Sequence, residues 1–263
     1  RFDTIQNRLD WAKQLAFDGA YFGVAVGIRN IDSEIEFLKE IESVTKDFFI
    51  CLDTANGYSE KAINATQALA NKFMYTPLIV GNVATADGFI RASSFYKSVM
   101  VRVGVGPGKV CITRNKTGVG VPQLTAISDC AEASRIISNT RYNHGMGSMV
   151  IADGGIKSSG DAVKAFAAGA RMVMLGYLFA KTKEAESQDG SMYGMASKRI
   201  QLEFTDKVKS IEGMEIKINP DEKVPVKEFL DEFTYSIASA CTYLGCSSLD
   251  KLSSVATFIE SGK

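Results

Sequence analysis

The feature that most constrains the fold is an alternation: six short, β-rich apolar runs separated by segments whose apolar residues recur at helical spacing. The runs are Tyr21 to Val26, Phe48 to Leu52, Leu78 to Val80, Val99 to Val103, Met149 to Ala152 and Met172 to Leu175. Helical patterns intervene, as at Ile31 to Ile41, Glu60 to Phe73 and Ile127 to Ile137. A parallel neighbour can be reached only by a crossover, usually a helix, so repeated βα units predict an α/β class with a parallel sheet. At 263 residues the ordinary closed form of that pattern is a single (β/α)8 TIM barrel, about 250 residues long. Six units do not close a barrel of eight, and the chain opens directly in a helical pattern, Thr4 to Ala16. The expectation is one barrel domain over residues 1–263, with the first two βα units absent from this sequence.

Several strands end in Gly or Asp followed by a polar loop: Asp53 with Asn56-Gly57, Gly81-Asn82, Gly104 to Gly108, Asp153-Gly154-Gly155, and Gly176. Carboxyl ends of parallel barrel strands open on one face, where barrel active sites are built. After Gly176 the alternation stops. The charged, strand-poor stretch 184–225 is expected to be a mobile flap over that face, and a last helix, Val226 to Tyr243, to pack outside. Trp11 and the Phe residues at helical spacing read as core.

Thirty basic residues balance thirty acidic ones, so no net field draws in nucleic acid or an anionic membrane, and a small molecule is the expected partner. No run approaches the roughly 18 apolar residues of a membrane span, and Arg1 to Asp10 has no signal-peptide core. Five cysteines, an odd number without zinc-type spacing, fit reduced thiols in the cytoplasm.

One cysteine has a chemical setting. The loop Gly104-Val-Gly-Pro-Gly-Lys-Val-Cys-Ile-Thr-Arg114 follows a strand and carries three glycines within five residues before Cys111. Such a loop brings backbone close to a ligand or ion and presents a thiol as a nucleophile. Cys51 and Cys130, on a strand and a helix, read as small buried hydrophobes. The turns Asp153-Gly154-Gly155 and Gly176-Tyr177 have the placement of a barrel phosphate site, where backbone N–H groups hold the anion without net charge. On the residues alone, Glu212 beside Gly213 reads as a solvated charge, with a base contact or proton transfer as the functional alternative. His144, the single histidine, reads as incidental, so no His-based triad is available.

The segments GVGPGKVCITR, KTGVGVPQL, ADGGIKSSGDAVKAFAAGARMVMLG and YGMAS together resemble the IMP dehydrogenase and GMP reductase family. Within it, ICLDTANGYSE (Ile50 to Glu60) and SACTYLGCSSLDKL (Ser239 to Leu252) look like the reductive branch. The other branch carries a longer flap with an Arg-Tyr pair that activates water; the chain's one such pair, Arg141-Tyr142, precedes the Met149 strand instead. The resemblance implies NADPH-dependent reductive deamination of GMP to IMP and ammonia through a covalent bond from Cys111, with Thr113 and Glu212 assisting proton transfers. It implies that Asp153 takes the ribose hydroxyls and that Gly154, Gly155, Gly176 and Tyr177 take the phosphate. Met195, Ala196 and Gly213 would take the base.

Asp53, Gly104, Val105 and Gly106 are implied at the nicotinamide ribose, and carbonyls of Gly106, Gly108 and Cys111 around potassium. A homotetramer is implied as well. Three positions depart from the family pattern: Lys209 replaces Arg, Tyr177 a small residue and Ala196 Ser. Arg to Lys removes a bidentate donor, which predicts altered affinity in the substrate set that includes Lys209. The alternatives are oxidation of IMP to XMP with NAD, a catalytically inactive purine-nucleotide-binding homologue, and an FMN-dependent barrel that shares the phosphate turns but not the need for Cys111.

Overall fold

The computed structural model describes residues 4–94, 99–141, 148–185, 190–204 and 207–260. His144 and Tyr142 lie outside them. The chain forms two compact units: Arg1–Arg102 with Ala133–Met149, and Val103–Glu132 with Val150–Lys263.

The first unit contains α1 (Ile5–Phe17), β1 (Phe22–Val26), α2 (Ile31–Val44), β2 (Phe48–Leu52), α3 (Glu60–Lys72), β3 (Leu78–Val83), α4 (Ala86–Ala92) and nearly all of β4 (Val99–Val103). β1 and β2 pair in parallel over Phe22↔Phe48 to Val26↔Leu52, and β2 pairs β3 through Ile50↔Leu78 and Cys51↔Ile79. The helices begin where capping predicts: Thr4, Ser59 and Thr85 each accept a backbone N–H of the first turn. The core is built from alternate strand positions, Phe48, Ile50, Leu52, Leu78 and Val80, against Leu38, Leu69 and Phe89 of the helices, all at most 2% exposed. Gly23 pairs with Phe49, whose ring occupies the space a Cβ at Gly23 would need.

Trp11 corrects the sequence expectation. It is 49% exposed, and Phe17 at the helix end is 87% exposed. α1 buries Leu9 and Ala12 instead, a stripe too narrow to take in Trp11.

The second unit contains α5 (Thr113–Thr117), the first part of α6 (Gln123–Arg141), nearly all of β5 (Met149–Asp153), α7 (Ser159–Ala167), β6 (Met172–Met174) and α8 (Tyr177–Ala180). Then come β7 (Ser191–Tyr193), α9 (Lys198–Phe204), β8 (Glu215–Lys217), α10 (Val226–Tyr243) and α11 (Leu252–Val255). β5 and β6 pair in parallel up to Asp153↔Met174. The stretch expected to be strand-poor holds a short antiparallel ribbon, β7 with β8, three residues per strand. α10 buries Phe229 and Phe233, with Phe229 edge-on to Phe179 of α8 at 5.5 Å. Among the described residues, no helix is long and apolar enough to cross a membrane.

Candidate functional site

Cys111 lies in the second unit on a loop that its own backbone folds back: the Cys111 N–H donates to Gly108 O at 3.0 Å. The half-buried thiol donates to Thr113 Oγ1 at 3.2 Å. Arg114, next along, braces the loop from within. Its Nε donates to Val105 O at 2.8 Å and its Nη2 to Val121 O at 2.5 Å. Gly106 and Gly120 make room for that side chain, since a Cβ at either would meet Arg114 Cγ at 2.7 Å.

Three separate pieces of chain close around Cys111 through backbone bonds. Ile112 N–H donates to Glu212 O at 2.8 Å and Met214 N–H to Val110 O at 2.8 Å, which pairs Cys111 with Gly213 in an antiparallel bridge. Gly213 also bridges Ser197, its N–H donating to Ala196 O at 3.2 Å, and Gly194 N–H donates to Met214 O at 3.0 Å. The packing admits no side chain at the two glycines: a Cβ on Gly213 would lie 2.8 Å from Ser197 N, and one on Gly194 2.8 Å from Gly213 Cα. Cys111, Thr113, Met195, Ala196, Glu212 and Gly213 are thereby drawn together, although about a hundred residues separate the first from the last in sequence.

The strand-end turns in this unit meet the same loop. Gly154 and Gly155 take positive φ, +86° and +83°, and a Cβ on Gly154 would stand 2.9 Å from Pro107 Cγ. Gly104 is tighter still, because a Cβ there would fall 2.1 Å from Asp153 O. Gln123 ties the two strand ends, its Nε2 donating to Val103 O at 2.8 Å and Asp153 O at 3.3 Å. Gly176 caps α8, and the Tyr177 ring that follows has Lys109 Nζ at 5.7 Å and Lys181 Nζ at 5.8 Å from its centre. Lys209 is held by its backbone: its N–H donates to Gln201 Oε1 at 2.7 Å, while Gln201 Nε2 donates to Ser210 O and Ala196 O.

Asp53 belongs to the first unit, at the end of β2. Arg102 Nη2 donates to its Oδ1 at 2.9 Å; the Arg side chain is 8% exposed and the Asp side chain 56%, so the carboxylate reaches outward from a buried cation.

Four positioning residues escaped the sequence reading: Arg102, Arg114, Gln123 and Gln201. Arg102 was detectable as a charge inside an otherwise apolar strand, Val99-Met-Val-Arg-Val103, which demands a partner. For the other three, no pattern distinguishes them from solvated polar residues.

Parallel βα units with glycine turns at their strand ends define a parallel α/β protein. A model of the IMP dehydrogenase / GMP reductase domain matches residues 12–263, and the chain belongs to that family. It is similar to the GMP reductase of Photobacterium profundum, 37% identical over 87% of this chain and 66% of that one. GMP reductase 2 of Homo sapiens is 35% identical over the same shares, and the GMP reductase of Vibrio atlanticus 36% identical over 98% of this chain and 74% of its own. Among solved structures, a cysteine-to-alanine variant of Trypanosoma brucei GMP reductase in complex with guanosine 5'-monophosphate superposes with a TM-score of 0.78. Its identity is 29%, over 92% of this chain and 50% of that one. The chain thus spans about two thirds to three quarters of the curated relatives and half of the solved one.

Proposed function

We propose that this chain carries the substrate-binding and thiol-bearing part of a GMP reductase, converting GMP to IMP and ammonia. The observation that carries the reading is the closure of the Glu212–Gly213 segment onto Cys111, which sets a thiol, the Thr113 hydroxyl and a carboxylate-bearing segment on one frame. Resemblance to proteins named GMP reductase supports it.

In this reading the Cys111 sulfur bonds to C2 of the guanine. The C2 amino group leaves as ammonia, taking protons moved by Thr113 and Glu212, and the thiolate is expelled when C2 is reduced. A thiolate suits both halves, being a strong nucleophile and a good leaving group. NADPH, when bound, supplies the hydride. Asp153 orients the ribose through its hydroxyls. The backbone N–H groups of Gly154, Gly155, Gly176 and Tyr177 hold the phosphate, and Met195, Ala196 and Gly213 border the base, with Lys209 in the adjoining flap.

Gly104, Val105 and Gly106 would border the nicotinamide ribose. The exposed carboxylate of Asp53, fixed from behind by Arg102 in the first unit, is suited to accept hydrogen bonds from hydroxyls. The carbonyl oxygens of Gly106, Gly108 and Cys111 are donors of the kind that replace the hydration shell of potassium, and the turn that bonds Cys111 N–H to Gly108 O keeps Gly108 and Cys111 on one tight loop. The stretch 184–225 would act as the flap. Assembly as a homotetramer in the cytoplasm completes the reading, and light scattering on the eluted protein should return four times the chain mass.

Turnover is tested by mixing the protein with GMP, NADPH and potassium and following the reduced-nicotinamide absorbance together with IMP and ammonia. Loss of absorbance matched by both products supports the reading. IMP-dependent reduction of NAD with release of XMP, or a bound yellow flavin, would replace it.

A further inference from the structure

Helix α10 ends in a Schellman cap. Leu244 closes the helix, Gly245 takes a left-handed φ of +68°, and its N–H donates to Thr242 O at 3.1 Å. The next N–H, that of Cys246, reaches back to Cys241 O at 3.0 Å. These are the two bonds of that motif, and they set the residue at the third position from the helix end beside the second residue after it, a pair that is commonly apolar. Here both are cysteine, both half-buried. Burial first, then the hydrogen bond and negative charge of Cys246, raise the Cys241 thiol. Neither belongs to the substrate or cofactor set assigned above.

We propose that Cys241 and Cys246 form a reversible dithiol–disulfide couple that exchanges with low-molecular-weight disulfides. Cys241 being the raised thiol of the pair, Cys246 gives up its proton and makes the first attack, on one sulfur of a disulfide such as oxidised glutathione. Its S–S bond breaks and one glutathione thiolate leaves and takes up a proton. Cys241 then gives its proton to solvent and attacks the Cys246 sulfur of the mixed disulfide, expelling the second glutathione. Two protein thiols are oxidised and one disulfide is reduced to two thiols, so electrons and protons balance. The new bond ties the last turn of α10 to the segment leading into residues Leu249–Lys251, where Asp250 pairs with Arg171.

The test incubates the whole chain with oxidised glutathione without reductant, alkylates the remaining thiols and maps the digest by mass. The expected product is an internal Cys241–Cys246 disulfide that reductant reverses, at least about tenfold more abundant than single glutathione adducts at either position, because the second step is intramolecular. In Cys246→Ser and Cys241→Ser the adduct on the remaining cysteine should persist. Stable adducts on the unsubstituted protein, or both thiols alkylated as if no oxidant had been added, would overturn the proposal. So would an equal disulfide yield in guanidinium chloride, since the cap would then play no part.

Discussion

At the scale of single residues, two cysteines differ in environment. Cys130 is fully buried on α6, and burial, with a smaller push from Asp129, raises its thiol to about 12. A folded value above the unfolded one, 9.0 here, means that the contribution to stability is fully present below pH 9 and is lost as pH rises toward 12. Denaturation midpoints should therefore fall through that window, and Cys130→Ala should flatten the fall; an unchanged slope would count against the buried thiol as its source. Native protein treated with a thiol reagent near pH 8 should be labelled at Cys111 and spared at Cys130. Thr113→Val removes the acceptor at 3.2 Å from the sulfur and should lower kcat by about a hundredfold, the lower range for one acid–base group. KM for GMP should change little, and a KM effect alone would instead make Thr113 a binding residue.

At the scale of elements, the closure of residues 194–197 and 212–214 onto the Cys111 loop has no slack. Gly213→Ala forces a methyl to within 2.8 Å of Ser197 N and should cost about 2 kcal/mol or more in stability, with larger loss of activity. Gln201→Ala removes the side chain that joins Ala196, Lys209 and Ser210; it should cost about 1–2 kcal/mol and raise KM for GMP, as read from urea melts and initial rates. Elements themselves were legible in the sequence. Short β-rich apolar runs and apolar helical stripes placed all six parallel strands, and the last helix matched Val226–Tyr243 to the residue. What periodicity cannot encode is contact between distant loops. The bond between Ile112 and Glu212, the brace made by Arg114 and the tie made by Gln123 depend on backbone meeting backbone, or on one polar side chain among many. The β7–β8 ribbon was missed for the related reason that three residues per strand is too short for alternation to show. Trp11 misled because size was taken for burial.

At the scale of the whole molecule, the family match runs over almost the entire chain while the chain covers only part of each relative. A ligand that binds only the folded state raises its stability by mass action, by about 2.7 kcal/mol at a hundred times its Kd. GMP should therefore raise Tm in a dose-dependent way, and guanosine, lacking the phosphate that the Gly154–Gly155 and Gly176–Tyr177 turns would hold, should do so far less. Equal shifts would move the phosphate away from those turns.

The most direct test of Cys111 as nucleophile is a comparison of the protein with Cys111→Ala, measuring GMP affinity by calorimetry and NADPH oxidation in the same preparations. The variant should bind GMP within a few-fold of the parent yet turn over at least about a thousandfold more slowly, as removal of a nucleophile does. Oxidation of NADPH with release of IMP and ammonia at an undiminished rate in Cys111→Ala would contradict it.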